Sequence, residues 1–346
     1  MEQELIKGNV AIAQAAIRAG CKFYAGYPIT PQTELPEYLA KHMEKSGGVF
    51  IQAESEISAI NMVYGAAGAG VRAMTSSSSP GISLKQEGIS YIVGSELPCV
   101  IVNVMRVGPG LGGIQPSQSD YFQAVKGGGH GDYKIVALTP NSVQEMYDFT
   151  IDAFNLADEY RNPVMILADG ILGQMMEPVD LHSPVTKHFD KQWATNGTQN
   201  KREHNIINSL YINPEQSEEL NNRLQKKYRT IQEKEQRFEI INPEADIMLV
   251  AYGIVSRVAK QVIDEAKAHK LSVGLIRPLA VWPFPTNAFE KVAKAYLTVE
   301  LSSGQMLEDV KLAVCGRASV HFLGKMGGTV MTVDDIVKKL KEIAGV

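Results

Sequence analysis

VFIQAESEISAINMVYGAAGAGVRAMT, residues 49–75, decides the fold. It opens on a β-branched and aromatic run, VFIQA (49–53), crosses a small-residue helical stretch (56–69) and closes on a second run, VRAMT (71–75). Two buried-type strands joined through a helix run parallel, and such a crossover is right-handed. The alternation continues outward through CVIVNV (99–104), KIVAL (134–138) and PVMILAD (163–169), with a helical stretch at 142–160. Continuous apolar runs suit strands covered on both faces. Pro140-Asn141 is a turn signal, and Ser142-Val143-Gln144-Glu145 after it is a capping box that starts the helix. The expectation is an α/β chain built on doubly wound parallel sheet.

Composition divides the chain. Residues 1–190 carry the first α/β domain. From 191 to 242 charge is dense, against 21% for the whole chain, and strands are hard to find. PEQSEELNNRLQKKYRTIQEKEQRFE reads as one solvated helix, so 191–242 is expected to be a helical charged connector lying over the surface. From 243 to 346 a second α/β domain is expected, with strands IMLVAYG (247–253), SVGLIRP (272–278) and AYLTVEL (295–301) and a final helix VDDIVKKLKEIAG.

Several function classes drop out. The formal charge is −4, without the basic surplus of a nucleic-acid binder. No apolar run reaches the length of a membrane span. The opening MEQELIKGNVAIAQAAIRAG has helical spacing and early acids, unlike a secretory leader, and implies a cytoplasmic protein. Cys21, Cys99 and Cys315 form no C-x-x-C pair, so metal or cluster ligation by this chain is not expected; they read as reduced, buried thiols.

Five stretches carry candidate chemistry. In Gly26-Tyr27-Pro28-Ile29-Thr30-Pro31 two prolines stiffen a turn that presents the Thr30 hydroxyl, or one that simply precedes a helix. Ser55 caps the next helix and puts Glu56 in its first turn, where a carboxylate serves either the helix dipole or catalysis. The small residues of YGAAGAG (64–70) suggest that a backbone or a cofactor packs closely there. Thr75-Ser76-Ser77-Ser78-Ser79-Pro80-Gly81 is a hydroxyl-rich loop before a helix, fit for a polar ligand or for capping. Arg106 leaves a strand end just before Gly-Pro-Gly-Leu-Gly-Gly, where ligands of open parallel sheets bind, and its fork suits a carboxylate. His130, in KGGGHGD, shows no partner.

Taken in order, YPITP (27–31), SE followed by YGAAGAG (55–70), TSSSSPG (75–81) and R-x-G-P-G (106–110) resemble the 2-oxoacid:ferredoxin oxidoreductase family, in the subunit carrying the thiamine-diphosphate pyrimidine-binding domain. VAYG (250–253), RPLAVWPFP (277–285) and ELSSGQM (300–306) resemble its transketolase C-terminal-like domain, so the resemblance spans nearly the whole chain. GPGLGGIQPSQSDYFQAVKGGGHGD looks most like the branched-chain type acting on 3-methyl-2-oxobutanoate, with the 2-oxoglutarate type as runner-up. The resemblance implies that Glu56 hydrogen-bonds N1′ of the aminopyrimidine of thiamine diphosphate. It implies that Tyr27, Pro28, Ile29, Ser79 and Pro80 also line the cofactor, and that Thr30 and Arg106 orient the oxoacid, Arg106 on its carboxylate. It further implies oxidative decarboxylation, electrons passing through iron–sulfur clusters to a low-potential ferredoxin in an anaerobic setting, and transfer of the acyl group to coenzyme A.

The motif that holds metal and diphosphate in thiamine enzymes, Gly-Asp-Gly with a following asparagine, is not matched, since Asp169-Gly170 lacks the leading glycine. A diphosphate-binding catalytic subunit is therefore implied, with Mg2+ there and [4Fe-4S] clusters on an iron–sulfur subunit. Two rivals stand beside this reading. One is a non-oxidative, transketolase-like half enzyme; the other is a non-catalytic assembly or regulatory subunit that keeps the fold.

Overall fold

The computed structural model describes residues 3–182, 187 and 189–346. The first 190 residues hold strands β1 (Gln3–Lys7), β2 (Phe23–Gly26), β3 (Val49–Gln52), β4 (Ala73–Ser77), β5 (Val100–Met105), β6 (Val136–Leu138), β7 (Val164–Asp169) and β8 (Met176–Asp180). Beyond them lie β9 (Phe238–Ile241), β10 (Ile247–Val250), β11 (Val273–Pro278), β12 (Ala280–Trp282), β13 (Ala295–Glu300) and β14 (Ser319–Gly324). Strands β6-β7-β5-β4-β2-β3 form a parallel sheet in that order. The second sheet runs β14-β13-β10-β11-β9, parallel except at β9. Two doubly wound α/β units are thus present, the first thiamine-enzyme-like and the second transketolase C-terminal-like in fold. The long apolar runs became central strands because their residues are buried on both faces: all of β5 and all of β7 lie inside.

Three features are not visible in composition. β1 and β8 pair antiparallel outside the main sheet. The charged stretch read as a connector contains β9, hydrogen-bonded to β11. Most consequentially, β12 leaves the second unit and adds antiparallel to β6 at the edge of the first sheet. Nor is the helix Pro214–Lys234 simply solvated: Leu220, Leu224, Tyr228 and Ile231 are buried along one face. Arg223 and Lys227 both reach the Glu96 carboxylate at 2.8 Å, and Tyr228 meets Trp282 edge-on. A helix that is polar by sequence is held by one apolar stripe and by ion pairs with the domain below it.

Close packing also falls elsewhere than expected. Gly65 faces open space, whereas a Cβ at Gly88 would come within 2.5 Å of Ile60 Cγ2. The glycines that bring the helices Glu56–Gly68 and Pro80–Gly94 together therefore lie on the second of them.

The two units are locked by polar contacts. Gln118, fully buried, donates from its backbone N–H to Leu301 O and accepts from Leu301 N at Oε1, each at 2.9 Å. Its Nε2 donates to Tyr252 O at 2.9 Å. Arg277 reaches Glu145 across the interface and Glu239 on its own side. Every one of these groups is buried with a partner of matching polarity, the condition for polar contacts to stabilise.

Candidate functional site

Each site residue picked from sequence stands just past the carboxyl end of a parallel strand: Tyr27 to Thr30 after β2, Glu56 after β3, Ser79 and Pro80 after β4, Arg106 after β5. Open α/β sheets bind ligands at this edge. The strand order β5-β4-β2-β3 spreads these loops side by side.

Glu56 opens the helix Glu56–Gly68 behind Ser55, whose Oγ accepts from Ser58 N at 3.2 Å. The side chain is only 6% exposed, and among the described residues its carboxylate accepts no hydrogen bond. Packed against it is Gly81, where a Cβ would lie 2.5 Å from Glu56 Oε1 and would also strike Ser77 Oγ. Glycine is required here by close approach. Gly81→Ala is expected to push the carboxylate aside and cut turnover about 100-fold, the cost of roughly an ångström of misplacement. Steady-state kinetics of the assembled complex check this, with melting temperature as the control.

The hydroxyl-rich loop links the two charged candidates. Ser79 donates from Oγ to Asp120 Oδ2 at 2.6 Å and accepts there from Arg106 N at 3.0 Å. Its backbone N–H reaches Asn103 Oδ1 at 3.1 Å, and Asn103 Nδ2 donates to Asp120 at 2.9 Å. Burial raises the Asp120 carboxyl, against the hydrogen bonds from Ser79 and Asn103. Ser77 and Ser78 keep buried hydroxyls without a partner among the described residues. No contact joins Glu56 to Arg106 directly; the Ser77–Gly81 loop touches both.

Arg106 is buried. Nη1 donates to Thr30 O at 3.0 Å and Nη2 to Leu111 O at 3.1 Å, while Nε has no partner among the described residues. The guanidinium thus ties the Tyr27–Pro31 turn to the glycine-rich loop. Asn9 Nδ2 and Gln174 Nε2 hold Pro31 O at 2.8 and 3.0 Å, and Glu34 fastens both amides. Two clefts flank Arg106. One of about 670 Å³ takes in Thr30, Ile114, Pro116 and Ile171. The other, of about 600 Å³, lies between the two units along Ser79, Pro80, Asp120, Ser302 and Met326. Tyr27 and Pro28 are exposed and Ile29 half-buried.

His130 is not brought into this group. It is exposed, its carbonyl accepts from Ser90 Oγ at 2.7 Å, and its ring meets Tyr91 edge-on. Asp169 ends β7 and caps the helix Gly170–Gln174 through Ile171 N and Leu172 N at 2.9 and 3.2 Å. One sequence argument needs correcting. Asn196 does follow Asp169-Gly170 at a distance fit for the metal-binding motif, but it lines a cleft with Lys22, Gly70 and Arg72 at the amino ends of the strands and accepts from Arg202. It sits at the opposite end of the sheet from Asp169.

Burial raises Asp169 to about 6, opposed by N–H groups of Leu172, Ile171 and Ile254. The ordinary value is near 4, so between about 4 and 6 the folded chain binds a proton that the unfolded chain does not, and stability falls as pH rises through that window. Asp169→Asn is expected to flatten that slope, by about 3 kcal/mol over the window. Denaturant melts of both chains across that pH range decide it.

Sequence reasoning passed over Asp120, Asn103, Gln118 and Lys85. Asn103 and Lys85 did leave a signal, as lone polar residues in the apolar runs CVIVNV and ISLKQEGISYIVG; the serine-rich loop around Gln118 and Asp120 gave none. Burial pushes the Cys21 and Cys99 thiols up to about 12, in keeping with inert core cysteines, while Cys315 is exposed. Among the described residues no cluster of His, Cys, Asp and Glu could hold a metal, and no helix is long and apolar enough to cross a membrane.

A parallel sheet with a free buried carboxylate, a hydroxyl-rich loop and an arginine along one open edge defines one half of an α/β enzyme site. Residues 14–239 match the model of the pyruvate flavodoxin/ferredoxin oxidoreductase thiamine-diphosphate-binding family, and residues 245–336 that of the pyruvate:ferredoxin oxidoreductase core domain II. The chain belongs to the 2-oxoacid:ferredoxin oxidoreductase family, as a subunit of alpha type. It is 50% identical over 350 residues to the ketoisovalerate oxidoreductase subunit VorB of Methanothermobacter marburgensis, covering 100% of this chain and 99% of that one. To the 2-oxoglutarate synthase subunit KorA of Methanocaldococcus jannaschii identity is 40% over 356 residues, covering 95% and 96%. A solved 2-oxoglutarate:ferredoxin oxidoreductase from Magnetococcus marinus, with 2-oxoglutarate, coenzyme A and succinyl-CoA bound, superimposes with TM-score 0.87 at 29% identity. That match covers 98% of this chain and 65% of the Magnetococcus chain.

Proposed function

We propose that this chain is the cofactor-activating subunit of a complex that oxidatively decarboxylates 3-methyl-2-oxobutanoate to its acyl-CoA and CO2, passing electrons to ferredoxin. The substrate assignment is carried by one observation, the 50% identity over the whole chain to a ketoisovalerate oxidoreductase subunit, against 40% to a 2-oxoglutarate synthase subunit. We place the complex in the cytoplasm and read the chain as 1–190, 191–242 and 243–346. A diphosphate-binding subunit would carry Mg2+, and an iron–sulfur subunit the [4Fe-4S] clusters.

The residues present fit the pyrimidine end of thiamine diphosphate. Glu56 keeps an unspent carboxylate in a dry setting, Gly81 leaves room in front of it, and Ser77 and Ser78 have hydroxyls to spare. Glu56 would hold the aminopyrimidine by N1′, with Tyr27, Pro28, Ile29, Ser79 and Pro80 around it. When bound, the cofactor supplies an electron sink for loss of CO2 from a 2-oxoacid.

This chain's part is to place and move protons and to orient substrate. A carboxylate in a desolvated site shares its proton with a ring nitrogen instead of losing it to water, so Glu56 can take and return a proton at N1′. Arg106 would face the oxoacid carboxylate with Thr30 beside it, and its unpartnered Nε is a donor still to be used. Ile114, Pro116 and Ile171 line the cleft next to Thr30 and suit a branched apolar side chain. Initial rates with 3-methyl-2-oxobutanoate, 2-oxoglutarate and pyruvate, compared as kcat/KM on the purified complex, test the assignment. Preference for the branched-chain acid is expected; preference for 2-oxoglutarate would keep the family and overturn the substrate.

A further inference from the structure

One cation in this chain is buried where the reaction has no evident use for it. Lys85, on the helix Pro80–Gly94, has no solvent exposure at all. Its Nζ donates to the backbone carbonyl of Glu56 at 3.4 Å, a long bond and the one its ammonium makes among the described residues. Lysine carries three donors, so most of its hydrogen-bonding capacity is unspent in a dry place. An ammonium so buried is costly unless an opposite charge compensates it.

The compensating charge is Glu56. Burial lowers the Lys85 ammonium to about 8, and the Glu56 carboxylate pulls it back up. The lysine therefore keeps its proton at neutral pH. Other titratable groups on the surrounding elements have their own partners. Asp120 is engaged with Ser79 and Asn103, Tyr24 with Ser76, Tyr133 with Gln86 and Gly129, and Glu87, on the same helix, with Tyr91 at the surface. Glu56 alone lacks one, and its neighbours are Gly81 on one side and the Lys85 ammonium at its backbone.

We propose that Lys85 is a positioning residue for Glu56: its buried ammonium holds the neighbouring carboxylate ionised without hydrogen-bonding to it, leaving both carboxylate oxygens free for the cofactor ring. The two helices act as one device. Gly81 and Gly88 bring them close enough for a charge on one to act at the first turn of the other, and Ser55 fixes where that turn begins. A direct salt bridge would consume the acceptor that the site needs. A cation seated behind the backbone supplies the field and leaves the acceptor open. The inference rests on the catalytic reading of Glu56 and adds to it the means by which this carboxylate stays charged in an apolar site.

The test uses the cofactor-free complex, titrated from neutral to acid pH and followed by infrared difference spectroscopy of the carboxyl band. The Glu56 band is identified by its absence in Glu56→Gln. In Lys85→Met, which keeps the size and removes the charge, the band is expected about one pH unit higher than in the wild type, because an opposite charge within a few ångströms favours the ionised acid by one unit or more. The acid limb of kcat/KM should move the same way in the loaded complex. Lys85→Gln, neutral but polar, should show the same shift, which separates lost charge from lost packing. A Glu56 band at the wild-type pH in both variants would overturn the role of Lys85. Normal turnover in Glu56→Gln would overturn the reading beneath it, so the two failures are told apart.

Discussion

Glu56→Gln is expected to lower decarboxylation by about 10³-fold while the complex still assembles and binds thiamine diphosphate, general acid–base groups being worth about 10²–10⁴. Glutamine has the same length and fills the space in front of Gly81. It can still hydrogen-bond, but it cannot take a proton and return it. The helix should not suffer, because Ser55 provides the cap and Glu56 is not its partner. The loss should fall on kcat more than on KM for the oxoacid, since Glu56 acts on the cofactor side. Turnover within a few-fold of wild type, in a complex shown to contain the cofactor, would make this a fold-retaining assembly subunit.

Arg106→Met should act on the other side of the reaction. Removing one member of a carboxylate pair in a dry site costs about 3–5 kcal/mol, so kcat/KM for the 2-oxoacid should fall by about 10²–10³-fold, mostly through KM. Affinity for thiamine diphosphate should stay near wild type. Arg106→Lys should recover little, because an ammonium cannot reproduce the planar fork. The side chain also holds Thr30 O and Leu111 O, so melting temperatures accompany the kinetics. A fall confined to kcat with KM unchanged would mean that Arg106 arranges loops and does not meet the substrate.

The central architecture was legible because periodicity reports burial. VFIQA, VRAMT, CVIVNV, KIVAL and PVMILAD all became strands of one parallel sheet, since runs that are apolar on both faces have few other places to go. Candidate residues were legible for the same reason: strand ends followed by Glu56, Ser79 and Arg106 locate the open edge of such a sheet. What was hidden depends on long-range pairing. Nothing local in AVW (280–282) says that it joins the first sheet instead of its own, and FEII (238–241) is too short and too close to charge to stand out. The apolar stripe Leu220, Leu224, Tyr228 and Ile231 was masked by the charges around it. Lys85 and Asn103 could have been flagged as lone polar residues in apolar runs, but their partners, Glu56 and Asp120, emerge only once the loops converge. The asparagine rule failed for a related reason, because spacing in sequence carries no information about which end of the sheet a residue reaches.

The most direct measurement is anaerobic reduction of a viologen dye by the complex drawn from its native source through a tag on this chain, supplied with coenzyme A and one 2-oxoacid at a time. Dye reduction that requires both coenzyme A and 3-methyl-2-oxobutanoate is the expected result. No reduction with any 2-oxoacid, from a complex shown to hold thiamine diphosphate and intact iron–sulfur clusters, would contradict it.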